Sequence, residues 1–179
     1  MRIRKTVAAD LDAVMRIYAE ARAFMCENGN PDQWKDGYPL REWIEDDIEG
    51  HKSYVCVDNA GIVLAVFYFA VEREAVYDTL EGKWIAGDDN PNGGNGDTYG
   101  VIHRIAKGAN TPRGVGRFCI DWCFEQCGNV KIDTHEANAP MLRLLENIGF
   151  VYCGIVRYLI DGGERVAFQK RRKEQGNSL

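Results

Sequence analysis

Arg113-Gly114-Val115-Gly116-Arg117 is the stretch on which the reading of this chain turns, because a β-forming run precedes it and a helical run follows. A helix opening here points its unpaired first-turn N–H groups outward, glycine lets a ligand approach them, and the helix dipole favours an anion. The product is a cradle for a diphosphate, to which Arg113 and Arg117 can add charge-assisted bonds. A glycine pair alone is weak evidence, and the lysine and serine or threonine of a P-loop are missing.

Outward from that stretch, residues 98–106 read as the strand leading into the turn and residues 113–127 as the helix, closed by Gly128. Residues 130–134 form a short strand. Asn138 can cap a further helix through its side-chain oxygen, with Pro140 in the first turn and Gly149 as the stop. Residues 151–160 and 165–170 are two closing strands that turn at Asp161-Gly162-Gly163.

Toward the N-terminus, residues 2–6 suit a short strand, and Leu11, Val14, Tyr18, Ala21 and Met25 mark one helix face, stopped by Asn28-Gly29-Asn30-Pro31. Leu40, Trp43, Ile44 and Ile48 mark a second helix whose other face carries Glu42, Glu45, Asp46 and Glu49. Residues 53–58 and 62–71 read as strands joined by a hairpin at Asn59-Ala60-Gly61. Residues 87–97 (GDDNPNGGNGD) read as a loop between strands. The order is strand, two helices, three strands, helix, strand, helix, two strands: a mixed α/β pattern without internal repeat, and not a Rossmann order.

A chain of 179 residues suits one domain with a real core, and 45% hydrophobic against 27% charged residues excludes wholesale disorder. A net charge of −5 opposes broad capture of nucleic acid and favours a small-molecule partner. The basic run Lys170, Arg171, Arg172 and Lys173 reads as a solvated end. No stretch approaches the roughly 20 apolar residues of a membrane helix, and no signal-peptide core follows Met1, so a cytoplasmic protein is expected. The six cysteines show no close metal-binding pair and read as reduced, packed thiols.

The layout resembles the GNAT superfamily of N-acetyltransferases, whose signature Q/R-x-x-G-x-G/A opens the helix after the fourth strand and holds the coenzyme A pyrophosphate. Gly114, Val115 and Gly116 match its end. The family's later N-x-x-A/M-x-x-L-Y-x-x-x-G-F stretch is similar to Asn138-Ala139-Pro140-Met141 through Leu144, Leu145 and Gly149-Phe150. A bacterial single-domain subgroup is closer still, with Y-G-V-I-H-R-I-A matching Tyr99 to Ala106 and D-T-H-E-x-N matching Asp133 to Asn138. The likeness spans residues 2–170. It implies an α/β (α+β) acyl-CoA N-acyltransferase fold, with a mixed, mostly antiparallel twisted sheet of about six to seven strands and helices on both faces. One domain over residues 1–170, followed by a polar tail at 171–179, is the expected organisation.

The same resemblance implies acetyl-CoA as cosubstrate, no metal, and direct transfer to a primary amine of a small molecule or peptide. It makes Ile105 and Ala106 the backbone partners of the pantetheine arm, on a strand that splays from its neighbour, and Asn138 a cofactor-side residue with residues 113–117. Two positions depart from the pattern. Thr111 stands where glutamine or arginine is usual, leaving Arg113 to supply that phosphate contact, and Leu145 occupies the place of a tyrosine that protonates the departing thiolate.

Candidate general bases are His103, Glu72 and His135. His103 comes first, since it lies near the thioester end and an imidazole titrates near neutral pH. Strand alternation allows only one of His103 and Arg104 into the cleft. Tyr152 or Cys153 are alternative proton donors. Trp34, Tyr38, Trp43 and Trp84, with Asp32, Asp36 and Glu81 nearby, suit an acceptor pocket for a cationic amine. Cys119, Cys123 and Cys127 recur every four residues beside Val115 as a packed stripe without an activating base. The competing reading is a non-catalytic module that binds coenzyme A as a ligand or pairs with a second copy through its sheet.

Overall fold

The computed structural model describes residues 1–85, 98–158 and 163–172. In chain order the elements are β1 (Arg2–Lys5), α1 (Leu11–Glu27), α2 (Arg41–Glu49), β2 (Ser53–Val57), β3 (Val63–Val71) and β4 (Glu81–Gly82). They continue with β5 (Gly100–Lys107), α3 (Val115–Cys127), β6 (Asn129–Thr134), α4 (Ala139–Asn147), β7 (Val151–Arg157) and β8 (Glu164–Arg171). Short 3-10 turns precede α1 and follow β3, at Ala8–Asp10 and Ala75–Thr79.

One eight-stranded sheet runs in the order β1-β2-β3-β5-β6-β8-β7-β4, antiparallel throughout except for β5 beside β6. The strand beyond the expected six or seven is the two-residue β4, which no periodicity in sequence could reveal. It exists because Gly82 and Gly154 let β4 and β7 approach closely: a Cβ on Gly82 would stand 2.1 Å from the Cys153 carbonyl oxygen, and one on Gly154 2.2 Å from that of Glu81. Its presence makes the strand that leads into the glycine turn the fifth rather than the fourth.

The two-residue period of the strands sorts the core onto two faces. Val55, Val57, Val66 and Ala106 meet Val14, Ile17, Tyr18 and Ile44 from α1 and α2. Cys56, Phe67, Phe69, Ile102 and Ile132 meet Val115, Cys119, Ile120 and Cys123 of α3, with Leu145 of α4. Fully burying each large apolar side chain is worth about 2 kcal/mol, so both helix layers are held by their stripes rather than by propensity. A hydrogen bond with Cys56, together with burial, pushes the Cys119 thiol up, and burial does the same to Cys123, which keeps both protonated at neutral pH.

At the C-terminal edge, β8 pairs as far as Arg171 with Asn129, and the Arg172 N–H donates to the Gly128 carbonyl at 2.6 Å. Lys170 Nζ sits 4.5 Å and the Arg172 guanidinium 5.8 Å from the Phe124 ring of α3, so the strand carries the first basic residues of the run read as a solvated end. The loop read at residues 87–97, most of the 161–163 turn, Lys173 and the rest of the tail lie outside the described residues. Among the described residues, no helix is long and apolar enough to cross a membrane.

Candidate functional site

β5 and β6 are paired only at Gly100 with Val130, Val101 with Lys131 and Ile102 with Ile132, yet β5 continues to Lys107 and β6 to Thr134. Beyond Ile102 the two strands part. A cleft of about 380 Å³ opens in that gap, with Ile105 on one side and Asn138 and Met141 of α4 on the other.

The glycine turn does not itself line this cleft; it meets one of its walls, α4, through Gly116. Gly114 caps α3 in the left-handed region at φ 88°, a conformation that favours glycine, and the first helical bond is donated by Phe118 to the Gly114 carbonyl at 2.9 Å. The N–H groups of Val115, Gly116 and Arg117 therefore precede the helical ladder. A Cβ on Gly114 would meet no atom within 4 Å, whereas one on Gly116 would lie 3.4 Å from Leu144 Cδ2 of α4, the helix whose first turn lines the cleft. Arg113 and Arg117 are exposed, with Arg117 paired to Asp121 at 3.0 Å one turn along α3. Thr111 spends its hydroxyl on the Gly108 carbonyl at 2.9 Å, which stabilises the turn itself.

Asn138 ties three elements together. Its Oδ1 accepts from the Met141 N–H at 3.3 Å as the cap of α4, while its Nδ2 donates to Thr134 Oγ1 and to Gln33 Oε1, both at 3.1 Å. Gln33 in turn donates to Thr134 Oγ1 at 3.3 Å, so the link between α1 and α2 is fastened to the open end of β6.

His103 reaches the cleft from β5, and so does Arg104. Alternation along a regular strand forbids this, and the strand is not regular here. Pairing passes from Tyr68 with His103 to Val66 with Ala106, which leaves an extra residue in β5, and Arg104 takes a positive φ of 50°. The bulge turns both side chains toward Tyr68, with His103 5.6 Å and the Arg104 guanidinium carbon 4.9 Å from its ring centroid. Arg104 is neutralised by Asp47 at 2.6 Å, and its backbone carbonyl accepts from Tyr18 Oη at 3.0 Å.

The imidazole of His103 lies between two carboxylates. Glu74 Oε2 is 3.0 Å from Nε2, and Asp133 Oδ1 is 4.0 Å from Nδ1. The His103 hydrogen bond holds the Glu74 carboxyl below the ordinary glutamate range, burial working against it. An ionised carboxylate only accepts, so Nε2 is the donor in this contact, and a neutral ring so held has its lone pair on Nδ1. Asp133, its side chain only 6% exposed, also accepts from Tyr77 Oη at 3.1 Å and from Tyr158 Oη at 3.1 Å. Burial and the neighbouring Asp133 charge push both phenols up, so they stay protonated as donors.

The other candidates are dispersed. Glu72 is held by Lys52 at 2.6 Å and by the Tyr68 hydroxyl, an arrangement that keeps its carboxyl low despite burial. His135 lines an adjoining cavity of about 340 Å³ that shares Asp32, Lys35 and Arg165 with the cleft, and its Nδ1 accepts from the Ala137 N–H at 3.1 Å in a local turn. Tyr152 is exposed beside Phe168, Cys153 is buried with Sγ 3.4 Å from the Val151 carbonyl, and Leu145 is fully buried in the core. Tyr158 and Tyr38 are the phenols among the described residues that line the cleft.

The aromatic set also divides. Trp34, Tyr38 and Trp43 line the cleft with Asp32 and Asp36. Trp84 instead packs 5.3 Å from Tyr77 and covers the Lys131 ammonium at 4.1 Å, and Glu81 is spent on Arg157 at 2.6 Å. Proximity in sequence to β5 had suggested both, but a strand edge and a buried lysine claim them. Reading from sequence missed Glu74, Tyr158 and Gln33. The one signal for Glu74 was its spacing of two from Glu72, which puts both on one side of an extended chain.

No protein-family model matches the sequence, and no curated protein does so significantly. Solved structures match over nearly the whole chain. A GNAT-family acetyltransferase from Streptococcus agalactiae is 32% identical with a TM-score of 0.83, the alignment covering 97% of this chain and 96% of that one. One from Listeria monocytogenes is 17% identical with a TM-score of 0.69, over 96% of this chain and 94% of that one. The NatC complex bound to Gag peptide and CoA shares the fold at 14% identity and a TM-score of 0.54, over 96% of this chain and 98% of that one. Identity and coverage against the streptococcal enzyme, together with the splayed strands beside a glycine-capped helix, place this chain in the GNAT family of acetyltransferases.

Proposed function

We propose that the protein transfers the acetyl group of acetyl-CoA directly to a primary amine of a small molecule or peptide, with His103 as the general base. The parting of β5 from β6 after Ile102 and Ile132, with the glycine-capped start of α3 packed through Gly116 on the helix that lines the gap, carries the reading. Backbone N–H groups at residues 114–117 receive the diphosphate, with Arg113 and Arg117 at its edge. Unpaired backbone of Ile105 and Ala106 on the open side of β5 serves the pantetheine arm, and Asn138 faces it from α4. The CoA seen in the NatC structure, which has the same fold, is consistent with such a ligand.

The chemistry needs a neutral amine, and an amine arrives as an ammonium. The lone pair on His103 Nδ1 takes its proton, Glu74 holds the ring through Nε2–H, and Asp133 stabilises the imidazolium from 4.0 Å. The amine then attacks the thioester carbonyl, the oxyanion is met by a backbone N–H on the open side of β5, the C–S bond breaks as the intermediate collapses, and the second amine proton passes to the departing thiolate, leaving the amide and free coenzyme A thiol. His135 and Glu72, engaged elsewhere, take no part in proton removal.

Incubating the purified protein with acetyl-CoA and an amine panel tests this, with thiol release as the readout. Release that needs both protein and amine, and that falls on the order of 10²-fold or more in His103→Ala, is expected. Acetyl-CoA binding without release for any amine returns the non-catalytic reading.

A further inference from the structure

The cleft is polar on its floor and apolar on its near wall. On the floor the polar groups are engaged with one another: Glu74 with His103, Asp133 with Tyr77 and Tyr158, and Arg104 with Asp47. At the rim, Asp32 and Asp36 stand with Lys35 and Arg165, two of each sign, which gives no net preference for a charged ligand. The wall is a ladder of rings, Tyr18 to Trp34 at 5.6 Å, Trp34 to Tyr38 at 6.1 Å and Tyr38 to Trp43 at 5.5 Å. Its inner rungs are buried, but Trp43 keeps 43% and Leu40 38% of their surface exposed where they line the cleft. Trp43, held by Tyr38, and the nearby Leu40 present exposed apolar surface on the cleft that His103 also lines, a surface suited to an apolar partner.

We infer that the acceptor is a primary amine borne on an aromatic or branched aliphatic body, which packs against Trp43, Leu40 and Tyr38 while its nitrogen meets His103 and Asp133. The inference rests on the acetyl-transfer reading above and narrows its acceptor. A polar or polycationic amine finds no paired charge to recognise on that wall, and its hydroxyl or second ammonium loses water there without compensation. An apolar body gains burial without competing for the floor.

The test compares phenethylamine and isoamylamine with ethanolamine and 1,3-diaminopropane in the thiol-release assay at fixed acetyl-CoA. The two apolar amines are expected to show kcat/KM roughly tenfold or more above the polar two, and Trp43→Ala or Leu40→Ser is expected to collapse that ratio. Calorimetry of phenethylamine against the CoA-saturated protein reads binding without turnover. Phenethylamine binding lost in Trp43→Ala supports the acceptor class even if no amine is acetylated, in which case the transfer reading alone fails. Equal or better turnover of ethanolamine or 1,3-diaminopropane, or a ratio untouched by either variant, overturns the acceptor class and leaves the transfer reading standing.

Discussion

Glu74, in the segment that follows β3, accepts a hydrogen bond from Nε2 of His103 on β5 at 3.0 Å, across 29 residues of sequence. The pairing fixes which imidazole nitrogen keeps its proton, and therefore which one can work as a base. Glu74→Gln keeps the shape but lets the amide present either a donor or an acceptor to the ring. Its kcat should fall roughly 10- to 100-fold with a small change in KM for acetyl-CoA, against about 10²- to 10⁴-fold for His103→Ala. Steady-state thiol release measured on both variants decides whether Glu74 orients the base.

Gly114→Ala should weaken acetyl-CoA more than it weakens the fold. The position is left-handed at φ 88°, so an alanine costs about 1 to 2 kcal/mol in backbone strain, yet its methyl has open space. In the proposed mode of binding the diphosphate approaches through that space. A several-fold rise in the Kd for CoA by calorimetry, with denaturant unfolding shifted by no more than the strain, is the expected result.

Gly82→Ala and Gly154→Ala should be far more damaging than any exposed alanine substitution. Each new methyl would lie near 2 Å from a backbone oxygen of the facing strand, which no side-chain movement relieves. Separation of β4 from β7 and a loss of about 3 kcal/mol or more are expected, read from urea melts.

Asp10 gives the fold a pH-dependent tie. It accepts from both Arg4 guanidinium nitrogens, at 2.6 and 2.9 Å, and from the Val7 N–H at 2.9 Å, joining β1 to the start of α1. The Arg4 hydrogen bonds hold its carboxyl below the ordinary aspartate value of about 3.9, with burial opposing them. A depressed carboxyl contributes its full stability above the unfolded value and loses it as pH falls through the folded one. Asp10→Asn should therefore cost about 1.5 to 2 kcal/mol at pH 7. The gap from the parent should narrow below about pH 4, as the parent's own carboxylate protonates. Urea midpoints taken across that range check the sign.

How far the site was legible follows from the range of the interactions that make it. Local rules reach the glycine cradle: a strand, Gly114 and a helix lie within one short stretch, and Asn138 announces its own cap. They fail at Arg104, where alternation puts its side chain opposite His103, because the bulge depends on the register with β3, set by residues some forty positions earlier. They fail again at Trp84, which the sequence neighbourhood offers to the cleft and Lys131 takes.

Periodicity, caps and glycine placement, all properties of neighbouring residues, determined by themselves the helices, most of the strands and the glycine-capped start of α3. Which carboxylate meets His103, which aromatics face the cleft, and that β5 and β6 part after Ile102 and Ile132 were decided only when the sheet closed. Those contacts join segments far apart in the chain, and their partners are selected by strand register, a quantity that no local pattern carries.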